Sequence, residues 1–330
     1  MASVTITDVA RRAGVSMKTV SRVLNAEPHV REEVRDRVLG VARELRYRPK
    51  VSARSLAGAR SYQVGFLLHQ VSPYAMHAQL GALRACRAAG RHLVVETIDL
   101  AALDLTSDME ALVNGLQVDG IILLAPVCDN AIVLNALDAA KVPYVRIAPA
   151  TARPHGACVE VEDEAAARTI TDHLLGLGHR RIGLVQGAPG HAASARRLAG
   201  FRKALAAREA EPALIQDGLF NYDSGWEAGG RLLALANPPT AVFAANDLTA
   251  LGVMAKAQSL GLRIPDDLSI VGFDDIAAAG MVWPGLTTMR QPMADMAAMA
   301  AAMIISGLGE RPPPRFACEL VVRGSTAPPR

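Results

Sequence analysis

The fold is decided by Ile6-Thr7-Asp8-Val9-Ala10-Arg11-Arg12-Ala13-Gly14-Val15-Ser16-Met17-Lys18-Thr19-Val20-Ser21-Arg22-Val23-Leu24-Asn25. Thr5 and Asp8 have the spacing of a capping box, so a helix begins at Ile6. Ile6, Val9, Ala10 and Ala13 share one face at helical spacing. Gly14 supplies the left-handed residue that ends this helix. Ser16 suits the N-cap of a second helix, whose apolar face is Val20, Val23 and Leu24. Two helices joined by so short a turn read either as a helix-turn-helix, whose second helix enters the DNA major groove, or as an ordinary helical hairpin.

The next residues extend the pattern. Val34, Val38, Val41, Ala42 and Leu45 trace one face of a third helix, and Tyr47-Arg48-Pro49-Lys50-Val51-Ser52-Ala53-Arg54-Ser55-Leu56-Ala57-Gly58 follows. From Val4 to Gly58 the chain resembles the DNA-binding head and hinge of the lac/galactose repressor family of bacterial transcription regulators. The resemblance implies that Met17, Lys18 and Arg22 face the major groove. It implies that Thr5, Ser16, Thr19, Ser21, Asn25 and His29 hold the phosphate backbone, and that Ala53 and Leu56 enter the minor groove with Arg54 beside them. The side chains suit these roles. Arg22 can bond guanine in bidentate fashion, Lys18 can donate to it, and Met17 offers apolar contact to a thymine methyl. Leu56 suits a wedge that kinks the duplex. Without the surrounding hinge pattern it would read as a core leucine. Arg31 departs from the small N-cap residue commoner before the third helix, which leaves that helix's start open.

Charge is divided along the chain. Lys and Arg number 13 against 6 Asp and Glu up to residue 60, and 22 against 26 beyond it. A basic head supplies the salt-dependent phosphate attraction that DNA binding needs, although Arg35, Arg37, Arg43 and Arg46 alternate with acids and suit solvated helix faces. The 330 residues, 51% of them hydrophobic, suffice for two or three domains with a sizeable core. The N-terminus is polar and no run of about 18 apolar residues occurs, so a cytoplasmic protein without a membrane span is expected. Cys86, Cys128, Cys158 and Cys318 form no CxxC pair and read as free thiols.

Beyond residue 60 strands alternate with helices. Strands are predicted at 63–68, 92–96, 120–124 and 142–147. After about residue 160 the rhythm restarts with a helix from Asp163, further strands at 181–185, 214–220, 241–244 and 268–273, and helices from Ser194 and Asp223. This predicts an all-α helix-turn-helix domain followed by a two-lobed α/β domain with two doubly wound parallel sheets. The expected domains are 1–48, a hinge at 49–60, and 61–330. Within the last, the first lobe takes about 61–160 plus 291–322, and the second about 161–290. Ligands bind such sheets at the carboxyl ends of their strands, here in the cleft between lobes.

Polar residues stand at those ends, among them Asn246, Asp247, Asp274 and Asp275. Gly178-His179-Arg180-Arg181-Ile182, Arg197-Leu198-Ala199-Gly200-Phe201, Ala245-Asn246-Asp247, Val271-Gly272-Phe273-Asp274-Asp275, Arg290-Gln291-Pro292 and Arg323-Gly324-Ser325-Thr326 are also similar to the repressor family, whose effector domain is periplasmic-binding-protein-like. The resemblance implies that Arg197, Asn246, Asp274 and Gln291 hydrogen-bond a small effector and that Phe220 stacks on it. His69 and Tyr74 fall in the first-lobe ligand loop. Asp247 and Asp275 are expected instead to cap helices. Two departures stand out: Ala148 where several relatives place an acid, and Glu162-Asp163 where an Asp-Asn pair is common.

The expected function is therefore a transcription repressor of carbohydrate-utilisation genes, a homodimer on a pseudopalindromic operator, switched by a sugar or sugar derivative. A nucleobase or nucleoside effector is the chemical alternative, since Tyr74 and Phe220 could stack a base. A solute receptor is the functional one, against which the basic head argues. An enzyme is not expected, because no nucleophile–base pair, GxGxxG or P-loop occurs and Asp274 and Asp275 point apart. No cofactor or metal is expected. The absence of a leucine heptad after Thr326 favours a dimer over a tetramer.

Overall fold

The structure is a computed structural model, and it describes residues 4–24, 28–47, 61–151, 157–210, 214–309 and 314–330. Asn25, Ala53, Arg54 and Leu56 lie outside the described residues. The chain divides into two compact units, Met1–Tyr62 and Gln63–Arg330.

Among the described residues the first unit holds three helices: α1 (Ile6–Ala13), α2 (Met17–Leu24) and α3 (Glu32–Glu44). The Asp8 carboxylate accepts from both the backbone N–H and the hydroxyl of Thr5, fixing the start of α1. Gly14 ends it at φ 64°, a conformation other residues adopt only at a cost. Ser16 Oγ accepts from the Thr19 N–H and so caps α2. Val9, Ala10, Ala13, Val20, Val23, Val38 and Ala42 form the small core, with Val34, Val41 and Leu45 packed against it. Arg31 is the N-cap of α3 and gives it no side-chain bond; Glu32 and Glu33 in the first turn suit the positive end of the helix instead.

The second unit contains two six-stranded sheets. The first comprises β1 (Gln63–Leu68), β2 (His92–Thr97), β3 (Ile121–Leu123), β4 (Tyr144–Ile147), β5 (Ala157–Val161) and β11 (Arg315–Phe316), in the order β11-β5-β4-β3-β1-β2, all parallel. The second comprises β6 (Ile182–Val185), β7 (Leu214–Gln216), β8 (Ala241–Ala244), β9 (Ser269–Asp274), β10 (Thr287–Arg290) and β12 (Glu319–Val321), in the order β12-β10-β9-β8-β6-β7. Only β12 in this sheet is antiparallel to its neighbour.

Alternation explains the layers. Val64, Phe66 and Leu68 of β1 join one core cluster, and Leu67 joins the cluster on the opposite face. A strand covered on both faces reads as an unbroken apolar run, as this one does. The first sheet is flanked by α4 (Pro73–Ala88), α5 (Leu105–Gly115), α6 (Ala131–Ala139) and α12 (Met293–Ser306). The second carries α7 (Asp163–Gly176), α8 (Ala192–Ala207), α9 (Tyr222–Leu233), α10 (Asp247–Ser259) and the short α11 (Ala277–Met281). The alanine-rich α12 buries Met293, Met296, Ala297, Ala300 and Ala301 in the first-sheet core.

The chain passes between the lobes after β5, between β10 and α12, and between β11 and β12. This corrects the expected lobe boundary at residue 322. The return lies between Phe316 and Glu319, because Leu320 pairs with Met289 in the second sheet. Ser325 then bonds Ile270 and Thr287, so the last residues belong to the second lobe. The strand expected at 214–220 stops at Gln216, and the loop that follows turns left-handed at Phe220, φ 60°. Among the described residues no helix is long and apolar enough to cross a membrane.

Phe201 of α8 is fully buried beside Phe243 of β8, ring centroids 6.2 Å apart. Phe201→Ala is expected to destabilise the second unit by about 3–5 kcal/mol, seen as a lower melting temperature in calorimetry of the full chain.

Candidate functional site

Two sets of residues carry the candidate function. In the first unit, Met17, Lys18, Ser21 and Arg22 lie on the face of α2 opposite buried Val20 and Val23. Met17 is 53% exposed, and its Sδ accepts from the Thr7 hydroxyl. Thr5, Ser16 and Thr19 sit at the starts of α1 and α2, where the Thr5 hydroxyl donates to Asp8 and the Ser16 and Thr19 hydroxyls bond each other. His29 is exposed at φ 78° in the turn before α3. α2 therefore presents a polar, basic face around one apolar side chain, while its other face is fixed in the core.

In the second unit, a cavity of about 480 Å³ opens between the two sheets. His69, Tyr74, Arg197, Phe220, Asn246, Asp274 and Gln291 all line it. Its walls are the carboxyl ends of the strands and the first turns of the helices that follow, the place where ligands meet doubly wound sheets.

Arg197 is the most constrained of these groups. It is 4% exposed. Its Nε and Nη2 each lie 2.9 Å from Asp163 Oδ1, and its Nη1 donates to the Ala245 carbonyl at 2.5 Å. Asp274 Oδ1 is 3.9 Å from Nη1, and the guanidinium stacks 3.6 Å over the Phe273 ring. Burial works against its charge, and Asp163 with Asp274 more than restores it, so its pKa stands above the ordinary value. Gln291, in the passage from β10 to α12, donates through Nε2 to Asp274 Oδ1 at 2.6 Å.

Phe220 turns left-handed, a strained conformation for an aromatic residue. Asn246 Nδ2 holds its carbonyl at 3.0 Å. Gly187 makes room for the ring: a Cβ there would stand 1.9 Å from Phe220 Cζ. In the first lobe, His69 Nδ1 lies 3.0 Å from the Ile98 carbonyl and 3.4 Å from the Leu100 N–H. Tyr74 sits in the first turn of α4, and burial raises its hydroxyl pKa.

The structure reverses the expected capping roles. Asn246, not Asp247, caps α10, its Oδ1 accepting from the Thr249 N–H. Asp247 occupies the first helical position, fully buried, and accepts from the Ile276 N–H and the Thr288 hydroxyl. Asp275 caps nothing. It takes Arg290 and Arg323 on its two oxygens. His179, in the turn before β6, is remote from the cavity and buried between Thr240 and the Ala327 carbonyl. Asp163, noted above as part of the Glu162-Asp163 departure but not as a site residue, lines the cavity, and so does His191, which was not singled out. His191 meets Phe220 edge-on at 5.3 Å between centroids. Ala148, the departure noted above, is also in the wall, left-handed at φ 51°.

Comparison with known proteins follows the same division. Residues 5–50 match the family described as "Bacterial regulatory proteins, lacI family", and residues 171–326 match "Periplasmic binding protein-like domain". Catabolite control protein A of Priestia megaterium is 35% identical over 310 residues, covering 92% of both chains. Among solved structures, a transcriptional regulator CelR–cellobiose complex is 30% identical with a TM-score of 0.74, covering 98% of this chain and 99% of that one. The lac repressor dimer bound to operator and the anti-inducer ONPF is 27% identical with a TM-score of 0.80, covering 99% and 100%.

The buried carboxyls make a testable statement about pH. Burial raises the pKa of Asp247 and of Asp274 well above the ordinary 3.8. Both hold their protons more tightly folded than unfolded. Their contribution to stability is complete below that ordinary value and is lost as pH rises through the elevated ones. The melting-temperature difference between wild type and Asp247→Asn should therefore be larger at about pH 5 than at about pH 8. The histidines are common to both proteins and cancel. A difference that grows with pH would place the ionised carboxylate on the stabilising side.

Proposed function

The chain belongs to the lacI family of bacterial regulatory proteins, and from that premise we propose that it is a cytoplasmic repressor whose operator affinity is set by a sugar-class effector in the cleft cavity. It is a DNA-binding transcription regulator and not an enzyme. The observation that carries the reading is the pairing of a helix-turn-helix head with a cleft where polar and aromatic residues far apart in sequence, from His69 to Gln291, line one cavity.

Met17, Lys18 and Arg22 read base edges in the major groove, and Thr5, Ser16, Thr19, Ser21, Asn25 and His29 hold phosphates. Ala53 and Leu56, with Arg54, occupy the minor groove as a wedge. Two copies related by a two-fold axis read the halves of a pseudopalindromic operator.

In the cleft, Asp274 accepts from hydroxyls, Arg197 and Gln291 donate to them, and Phe220 covers the apolar face of a sugar ring. A volume of about 480 Å³ suits a ligand of that size. Cellobiose in the CelR complex shows a sugar in a protein of this similarity, and supports that class here. The effector acts by binding one arrangement of the lobes more tightly than another, with a coupling of about 1–3 kcal/mol to operator affinity.

The test uses a labelled operator selected from random DNA. Arg22→Ala is expected to weaken binding by about 1–3 kcal/mol and to relax preference at one base position. A sugar that raises the melting temperature should also change operator affinity, and the direction tells inducer from corepressor. A ligand that saturates the cavity and leaves operator affinity unchanged would sink the reading. A nucleobase as the sole stabilising ligand would replace the sugar class.

A further inference from the structure

The cavity's charge goes further and indicates which sugars it takes, a step that rests on the effector reading above. Three side chains that are charged in water line the cavity: Asp163, Arg197 and Asp274. Both bonds from Arg197 to Asp163 land on Oδ1. Asp163 Oδ2 is buried, and among the described residues no donor reaches it. Arg197 gives Nη1 to the Ala245 carbonyl, and Asp274 has only the 3.9 Å approach of that same nitrogen and the Gln291 amide. Two carboxylates thus lean on one guanidinium.

A buried carboxylate oxygen without a donor is costly, and the surplus negative charge is costlier. A ligand hydroxyl would answer the first cost alone. An ammonium answers both through a charge-assisted bond. A ligand carboxylate or phosphate would add a third anion beside one cation.

Helix starts at the rim pull the other way, since their partial positive charge draws anions. The starts of α4, α7 and α10 are already spoken for. α4 opens with Pro73, which has no N–H, behind the Ser72 cap. α7 carries Asp163 and Glu164 in its first turn, and α10 is capped by Asn246. α8 starts without a side-chain cap or an acidic residue, so an acidic sugar is the sharpest challenge.

We propose that the cavity takes an amino sugar, with its ammonium donating to Asp163 Oδ2, and excludes sugars bearing a carboxylate or phosphate. Burial raises the Asp274 pKa, so near neutrality the ammonium displaces a proton from the Asp274 carboxyl.

The experiment is calorimetric titration of the full chain with matched hexosamines, hexoses and hexuronates of gluco, galacto and manno configuration, at a pH where the amines are protonated. One hexosamine should bind about tenfold or more tightly than its parent hexose, with release of a proton, and its hexuronate should not bind. Asp163→Asn should bring hexosamine and hexose within about twofold of each other. If that variant does not fold, the wild-type ranking alone decides. A hexuronate or hexose that binds more tightly than its hexosamine overturns the inference and leaves the effector reading intact. So does an amine preference that survives Asp163→Asn in a folded variant. Failure of all three sets to bind removes both.

Discussion

The cleft depends on one buried cation. Stripping a guanidinium of water costs several kcal/mol unless its donors are matched, and Arg197 is matched from four directions. α7 supplies Asp163, the end of β8 supplies the Ala245 carbonyl, and the end of β9 supplies both the Phe273 ring and the Asp274 carboxylate. These contacts fix the relative positions of α7, α8, β8 and β9. They also reach past the second lobe: Asp274 is held by Gln291, which stands in the passage from β10 to the first-lobe helix α12. A ligand that alters Asp274 therefore acts on the segment that joins the lobes.

Strain collects around the same site. Ala148, Phe220 and Asp274 have φ of 51°, 60° and 114°, each unfavourable for a residue with a side chain and costing on the order of 1–3 kcal/mol. Two of the three have visible buttresses, Asn246 on the Phe220 carbonyl and Gln291 on the Asp274 carboxylate. Asn246 thus works twice, capping α10 and holding the aromatic wall. Each polar end makes one bond within the protein, which leaves the amide a second N–H and a second lone pair at the cavity wall.

Much of this was legible in the sequence because it is local. The Thr5–Asp8 spacing, Gly14 and Ser16 set the head, and the unbroken run at 63–68 announced a strand buried on both faces. What escaped was non-local or very short. Asp163 and Arg197 are 34 positions apart, and no periodicity links them. β11 and β12 span two and three residues, too few for a pattern, which is why the last passage between lobes was misplaced. The capping error was one residue wide: Asn246 and Asp247 are both good caps, and only the extended backbone of Asn246, φ −150°, decides between them. Once Asn246 takes the cap, Asp247 is carried inward to the Ile276 N–H and Thr288.

The wall of the cavity is asymmetric, and that bears on the switch. Asp163, Arg197 and Asp274 all belong to the second lobe. The first lobe contributes Leu68, Leu124 and Pro126 with His69, Gln70, Ser72 and Tyr74 as its polar or aromatic groups. Charge-based recognition therefore sits on one side. A ligand gripped only there has equal affinity for any arrangement of the lobes and shifts no equilibrium, however tightly it binds. Differential affinity requires contact with the other wall as well, and His69 and Tyr74 are the groups placed to provide it. Arg196, next to the central cation, already donates to the Pro149 carbonyl across the cleft at 2.7 Å. α8 thereby carries both the cation that holds Asp163 and Asp274 and the residue that fastens one lobe to the other. A change at Arg197 is felt one peptide away at that fastening, a route from ligand chemistry to lobe arrangement that uses a single helix.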